Sequence, residues 1–135
     1  MPKPPTIVDL RWIGDLKFEA VSDRAAITID SAGTAGPSPV QALGIALAAC
    51  MATDVTHILG KGRHPVRALR SHLVADRAQE DPHRLVRIAL EIIVEGDVPR
   101  DAVARAIDLS RAKYCSVWHS MRQDLEFVVT FDVLA

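Results

Sequence analysis

The sequence is sparing with the residues that most often announce a function. It holds two cysteines, too few for a disulfide framework, and no CxxC or HxxxH spacing of the kind that marks a metal site. Basic residues are not in excess. Sixteen Lys and Arg stand against seventeen Asp and Glu, for a net charge of -1, which argues against a nucleic-acid or anionic-lipid partner. The longest apolar run, Ala42 to Ala52, is 11 residues and is broken by Thr53 and Asp54. A membrane span needs about 20, so this run reads as a buried helix and no membrane partner is expected. The opening MPKPPTIVDLRW has prolines and an aspartate where a signal peptide has its apolar core. A reducing cytoplasmic setting is therefore expected, in which a structural disulfide is not. There is no internal repeat and no low-complexity segment.

What is present fits one folded domain over residues 1–135, about half hydrophobic with 4% aromatic content and long enough to bury a core without staples. TIVDLRWIG, LKFEAVS and AAITID are rich in β-branched and aromatic residues and read as three short strands. Gly14-Asp15 and Ser22-Asp23 are the turn positions. After the small-residue loop SAGTAGPSP, Ser38 is placed to cap a helix, with Pro39 at its first position and Gln41 three residues after the cap. Apolar residues surround this helix on nearly all sides until about Gly60, so other structure must cover it. VRALRSHLVADRA and HRLVRIALEIIVEG follow as a hairpin of long strands around QEDP. Val86, Ile88, Leu90, Ile92 and Val94 share one face. PRDAVARAIDLSRAKY has helical periodicity, SVWHSM suits a short second helix, and DLEFVVTFDVLA is a closing strand. The order βββ-α-ββ-α-(α)-β gives an α+β fold, not a doubly wound parallel sheet. One sheet covers only one side of a greasy helix, which predicts a homodimer that buries the helix in its middle.

Candidate chemistry centres on the cysteines. Cys50 lies in the apolar helix, where a thiol ordinarily acts as a small hydrophobe. Asp54 at i+4 and His57 at i+7 share its stripe, and polar groups there need partners or a role. Three chemistries are open. A Cys–His pair would make a thiolate nucleophile, but positions seven apart lie about 10 Å apart along the axis. The same spacing counts against a single metal ion held by this helix alone. The third is redox: Cys50 attacks a peroxide and a second cysteine resolves the sulfenic acid. Cys115 lies where one helix stops and another begins, so a helix dipole there would favour its thiolate. His64, His72, His83 and His119 read as surface or satisfied histidines. Trp12 and Trp118 read as packing residues.

GPSPVQALGIALAACMATDVTHILGKGR and AVARAIDLSRAKYCSVWHSM resemble the two cysteine-bearing motifs of the OsmC/Ohr family, the osmotically inducible protein C and organic hydroperoxide resistance proteins. The likeness covers essentially the whole chain, and DVTHIL and KYCSV are most similar to a less characterised OsmC-like branch. The resemblance implies an intertwined homodimer around the central helices and a thiol-dependent peroxidase for organic hydroperoxides, serving the oxidative stress response. It makes Cys50 peroxidatic and Cys115 resolving, with an external dithiol as reductant and no metal, flavin or haem. In the family an N-terminal arginine and a glutamate near the helix start activate the thiolate. Here the glutamate position is Val40, followed by the neutral Gln41, and SAGTAG has no arginine. Arg24 and Gln41 are the weaker candidates for those roles. The alternative on the same scaffold is a non-catalytic protein that binds a hydrophobic ligand. A Cys–His acyl hydrolase would need His57 or His119 within hydrogen-bond reach of Cys50.

Overall fold

The structure is a computed structural model and describes residues 2–135. Its three N-terminal strands follow the turn chemistry. β1 (Asp9–Gly14), β2 (Lys17–Ser22) and β3 (Ala25–Asp30) form an antiparallel meander in the order β1-β2-β3. Gly14, Asp15 and Asp23 take positive φ at the two reversals, as tight hairpin turns require. The segment after β3 is wrapped around Asp30, which is almost fully buried. Its carboxylate accepts from the Ala32 and Ala35 amides at 3.0 Å and from the Thr34 hydroxyl at 2.9 Å.

Helix α1 runs from Pro39 to Lys61. Its start is a reciprocal capping box: the Ser38 hydroxyl accepts from the Gln41 amide, and the Gln41 side-chain oxygen accepts from the Ser38 amide. At 23 residues α1 is far longer than the unbroken apolar run and has the length and composition to cross a bilayer. Here it is instead the core helix. Leu47, Met51, Val55 and Leu59 recur every fourth residue and are fully buried, packed in one cluster with Ile88, Leu90, Ile92 and Val94 of the sheet that follows.

That second sheet has the order β4-β5-β6, with β4 (Val66–Arg77) antiparallel to β5 (Leu85–Gly96) and β6 (Glu126–Leu134) parallel to it. A parallel neighbour cannot be reached by a hairpin, so the chain crosses over. The crossover consists of α2 (Arg100–Leu109), a π-helical turn (Ser110–Tyr114) and the single-turn α3 (Ser116–His119). Val103, Ala106, Ile107 and Trp118 from this crossover complete the core. Trp118 stacks obliquely on Phe127, ring centroids 4.6 Å apart. Trp12 does not pack in this way: it is exposed, and its indole N–H donates to the Asp15 carbonyl.

The chain divides into two compact units, one ending at Leu43 and the other running from Gly44 to Ala135. The second contains the whole buried apolar core. In the first, Ile7, Val8, Leu10, Trp12, Leu16 and Ile27 are all exposed in the single chain.

Candidate functional site

Two stretches of the second unit, 65 residues apart in sequence, bring their chemistry together. From α1, Cys50 and Asp54 project one turn apart along one stripe. From the crossover, Cys115 arrives after the π-helical turn. The two sulfurs and an Asp54 carboxylate oxygen lie within 4.8 Å of one another. Cys50 and Asp54 are half-buried, whereas Cys115 is completely buried.

The π-helical turn explains how Cys115 gets there. The Cys115 amide bonds to the Ser110 carbonyl five residues back, at 2.8 Å. One residue more than an α-turn is thus accommodated before α3 begins, a feature that recurs at functional sites. Ser110 is itself fully buried. Its hydroxyl donates to the Asp54 carboxylate at 2.7 Å, tying the crossover to α1 beside the thiols. Cys115 is the N-cap of α3: its sulfur accepts from the Trp118 amide at 3.4 Å and its carbonyl from the His119 amide. Neither cysteine is in a disulfide.

The expectation that a helix start would favour a Cys115 thiolate is corrected here. The Trp118 amide does point at the sulfur and favours the anion. Burial outweighs it, and with the neighbouring Cys50 thiol and the Asp54 charge it pushes the Cys115 thiol up to about 11. At neutral pH Cys115 is a protonated thiol. Buried and protonated, it is not a nucleophile primed for solution substrates.

The other sequence candidates stand as follows. His57 is exposed on α1, and a His119 ring nitrogen is engaged by the Arg111 carbonyl. Among the described residues no histidine hydrogen-bonds to either sulfur, so the contact an acyl hydrolase would need is missing. Gln41 has its side chain committed to the capping box. Arg24 is exposed, in the β2–β3 turn region of the first unit. Cys50, Asp54 and Cys115 together offer the donor set for a metal ion. Asp54 had been visible as a polar residue on the Cys50 stripe. Ser110 had not, since a serine late in a helical segment carries no signal of a partner on a distant helix.

Fold and thiol pair together define a class: α+β proteins that set a buried cysteine at a crossover against a more exposed cysteine on a central helix. Residues 31–130 match the family described as OsmC-like protein, and the chain belongs to that family. It is 35% identical to Protein YhfA of Escherichia coli strain K12 over 129 residues, covering 93% of this chain and 96% of that one. In structure it is similar to a hypothetical protein of Aquifex aeolicus VF5, with a TM-score of 0.90 at 25% identity over 97% of both chains. The fold also extends to the organic hydroperoxide resistance protein OhrB of Bacillus subtilis, with a TM-score of 0.62 at 16% identity, over 95% of this chain and 98% of that one.

Proposed function

We propose that the protein is a cytoplasmic thiol-dependent peroxidase that reduces organic hydroperoxides with Cys50 as the peroxidatic and Cys115 as the resolving residue. The observation that carries this reading is the convergence of its only two cysteines, one half-exposed and one sealed, within 4.8 Å. A two-cysteine cycle needs that asymmetry: the substrate reaches the first thiol, and the second is spared until a sulfenic acid forms beside it. Membership of the OsmC-like family and the name of the Bacillus structural neighbour agree with a hydroperoxide as substrate.

In the cycle, the Cys50 thiolate attacks the outer oxygen of ROOH. The O–O bond breaks, ROH leaves after taking a proton, and Cys50 becomes a sulfenic acid. The Cys115 sulfur then attacks the Cys50 sulfur, losing its proton as the S–S bond forms and water departs. An external dithiol returns both thiols by exchange. A disulfide needs its sulfurs about 2.05 Å apart, so the pair must close from within 4.8 Å.

Arg24 is carried in the proposal on the family resemblance alone, as the N-terminal arginine of a chain whose SAGTAG loop has none. Gln41, as part of the capping box, supports the helix that carries Cys50. Cys50→Ser is expected to abolish turnover of cumene hydroperoxide. Arg24→Ala should lower kcat/KM at least tenfold, while Gln41→Ala should lower thermal stability more than rate. A Cys50→Ser variant with undiminished turnover would sink the reading.

The active form is proposed to be a homodimer. Ile45 on α1 is 58% exposed and Trp12 66% exposed in the single chain, and a three-stranded sheet without buried apolar residues is not expected to stand alone.

A further inference from the structure

We infer that the reduced protein binds a thiophilic divalent cation of the zinc type through Cys50, Asp54 and Cys115. The inference goes beyond the peroxidase reading and does not depend on it. Along α1 alone, Cys50, Asp54 and His57 are too spread out to hold one ion, and His57 in fact faces solvent. The crossover supplies the missing donor. With Cys115 in place, two sulfurs and a carboxylate oxygen lie within 4.8 Å of one another. Zinc ligands at about 2.0–2.3 Å from the metal sit somewhat closer to each other than that, so a modest contraction completes the set.

Three further features favour a cation. Every donor would bind as an anion, and among the described residues none of the three is ion-paired or hydrogen-bonded to Lys, Arg or His. Among the described residues the Asp54 carboxylate accepts from the neutral Ser110 hydroxyl and from no cation. That hydroxyl, fully buried, orients the carboxylate as an outer partner orients a metal ligand. The donors are also chemically selective: two thiolates and one carboxylate suit a borderline-soft ion over Mg²⁺ or Ca²⁺. Three protein ligands leave a fourth position for water, and the half-buried Cys50 and Asp54 leave an approach from solvent.

Any proton still on a thiol is released as its metal–sulfur bond forms. A Cys50–Cys115 disulfide offers no thiolate, so oxidation of the pair releases the ion. Metal and peroxide therefore compete for the same two sulfurs, and the metal-bound state protects them from oxidation.

The test is an anaerobic titration of reduced, chelator-stripped protein with Co²⁺ and then Zn²⁺, following sulfur-to-cobalt charge-transfer absorption. One equivalent of Co²⁺ should produce the band, and Zn²⁺ should abolish it while shielding both thiols from alkylation. Cys50→Ser should weaken the band to near loss. Asp54→Asn should lower affinity at least tenfold, and Ser110→Ala about tenfold, with circular dichroism confirming that each variant is folded. Because Cys50 is half-exposed, its substitution is the variant that keeps the test valid if changes at buried Cys115 or Ser110 impair folding. Absence of the charge-transfer band in wild type, or a full-strength band in Cys50→Ser, would overturn the assignment. Peroxide consumption by the metal-free protein is a separate readout, so failure of either idea is visible without the other.

Discussion

Asp30 illustrates how one buried carboxylate can organise a segment. Two backbone amides and a hydroxyl bond to it, and these bonds hold its carboxyl at about 2, well below the ordinary 3.8. The folded state therefore favours the ionised form. This contribution to stability is complete above the unfolded value and drains away as pH falls from about 4 toward 2. Thermal unfolding followed across that range should show the wild type losing stability, whereas Asp30→Asn should be less stable at pH 7 and show a flatter acid limb. Equal acid dependence in the two proteins would refute the assignment. In the sequence, Asp30 closed a strand and attracted no notice. The Asp-Ser-Ala-Gly-Thr string was a usable signal, since aspartate before small and hydroxyl residues favours side-chain-to-backbone turns. Cys50 and Cys115, by contrast, were legible as a pair because the chain holds no other cysteine and through the motifs around them. No residue-level rule could place them together, because α1 and the crossover meet only in three dimensions.

At the scale of elements, local chemistry was informative and long-range pairing was not. The capping box, the two tight turns and the β5 alternation of Ile88, Leu90, Ile92 and Val94 each follow from a few neighbouring residues, and each is present. The parallel pairing of β6 with β5 is set by the crossover's path, which no periodicity encodes. The π-helical turn at Ser110–Tyr114 was hidden because SRAKY continues a helical pattern while its hydrogen bonds lengthen by one residue. The approach to α1 is as tightly built as its cap. A Cβ at Gly36 would be driven into the Thr28 carbonyl oxygen, which is backbone and cannot turn aside. Gly36→Ala is therefore expected to destabilise the protein by about 2 kcal/mol or more, measured by denaturant unfolding. An unchanged midpoint would show that this approach is looser than described.

At the scale of the molecule, the distribution of apolar surface is uneven. The unit from Gly44 to Ala135 has a full core, while the unit ending at Leu43 exposes Ile7, Leu10, Trp12 and Leu16. The greasy α1 had pointed to a partner chain. The structure adds that Leu43 and Ile45 keep 39% and 58% of their surfaces exposed in one chain. Sedimentation should therefore find a dimer, and Ile45→Asp should shift it toward monomer with a lower melting temperature. A wild-type monomer at micromolar concentration would contradict the proposed assembly. The thiol pair lies within the second unit, so its geometry can be tested whatever the assembly. The most direct measurement is a free-thiol count on reduced, metal-free protein before and after one equivalent of cumene hydroperoxide, with the product mass determined. The account predicts rapid loss of both thiols and an intramolecular Cys50–Cys115 disulfide. Two thiols that remain free would contradict it and leave the hydrophobic-ligand reading of the scaffold in its place.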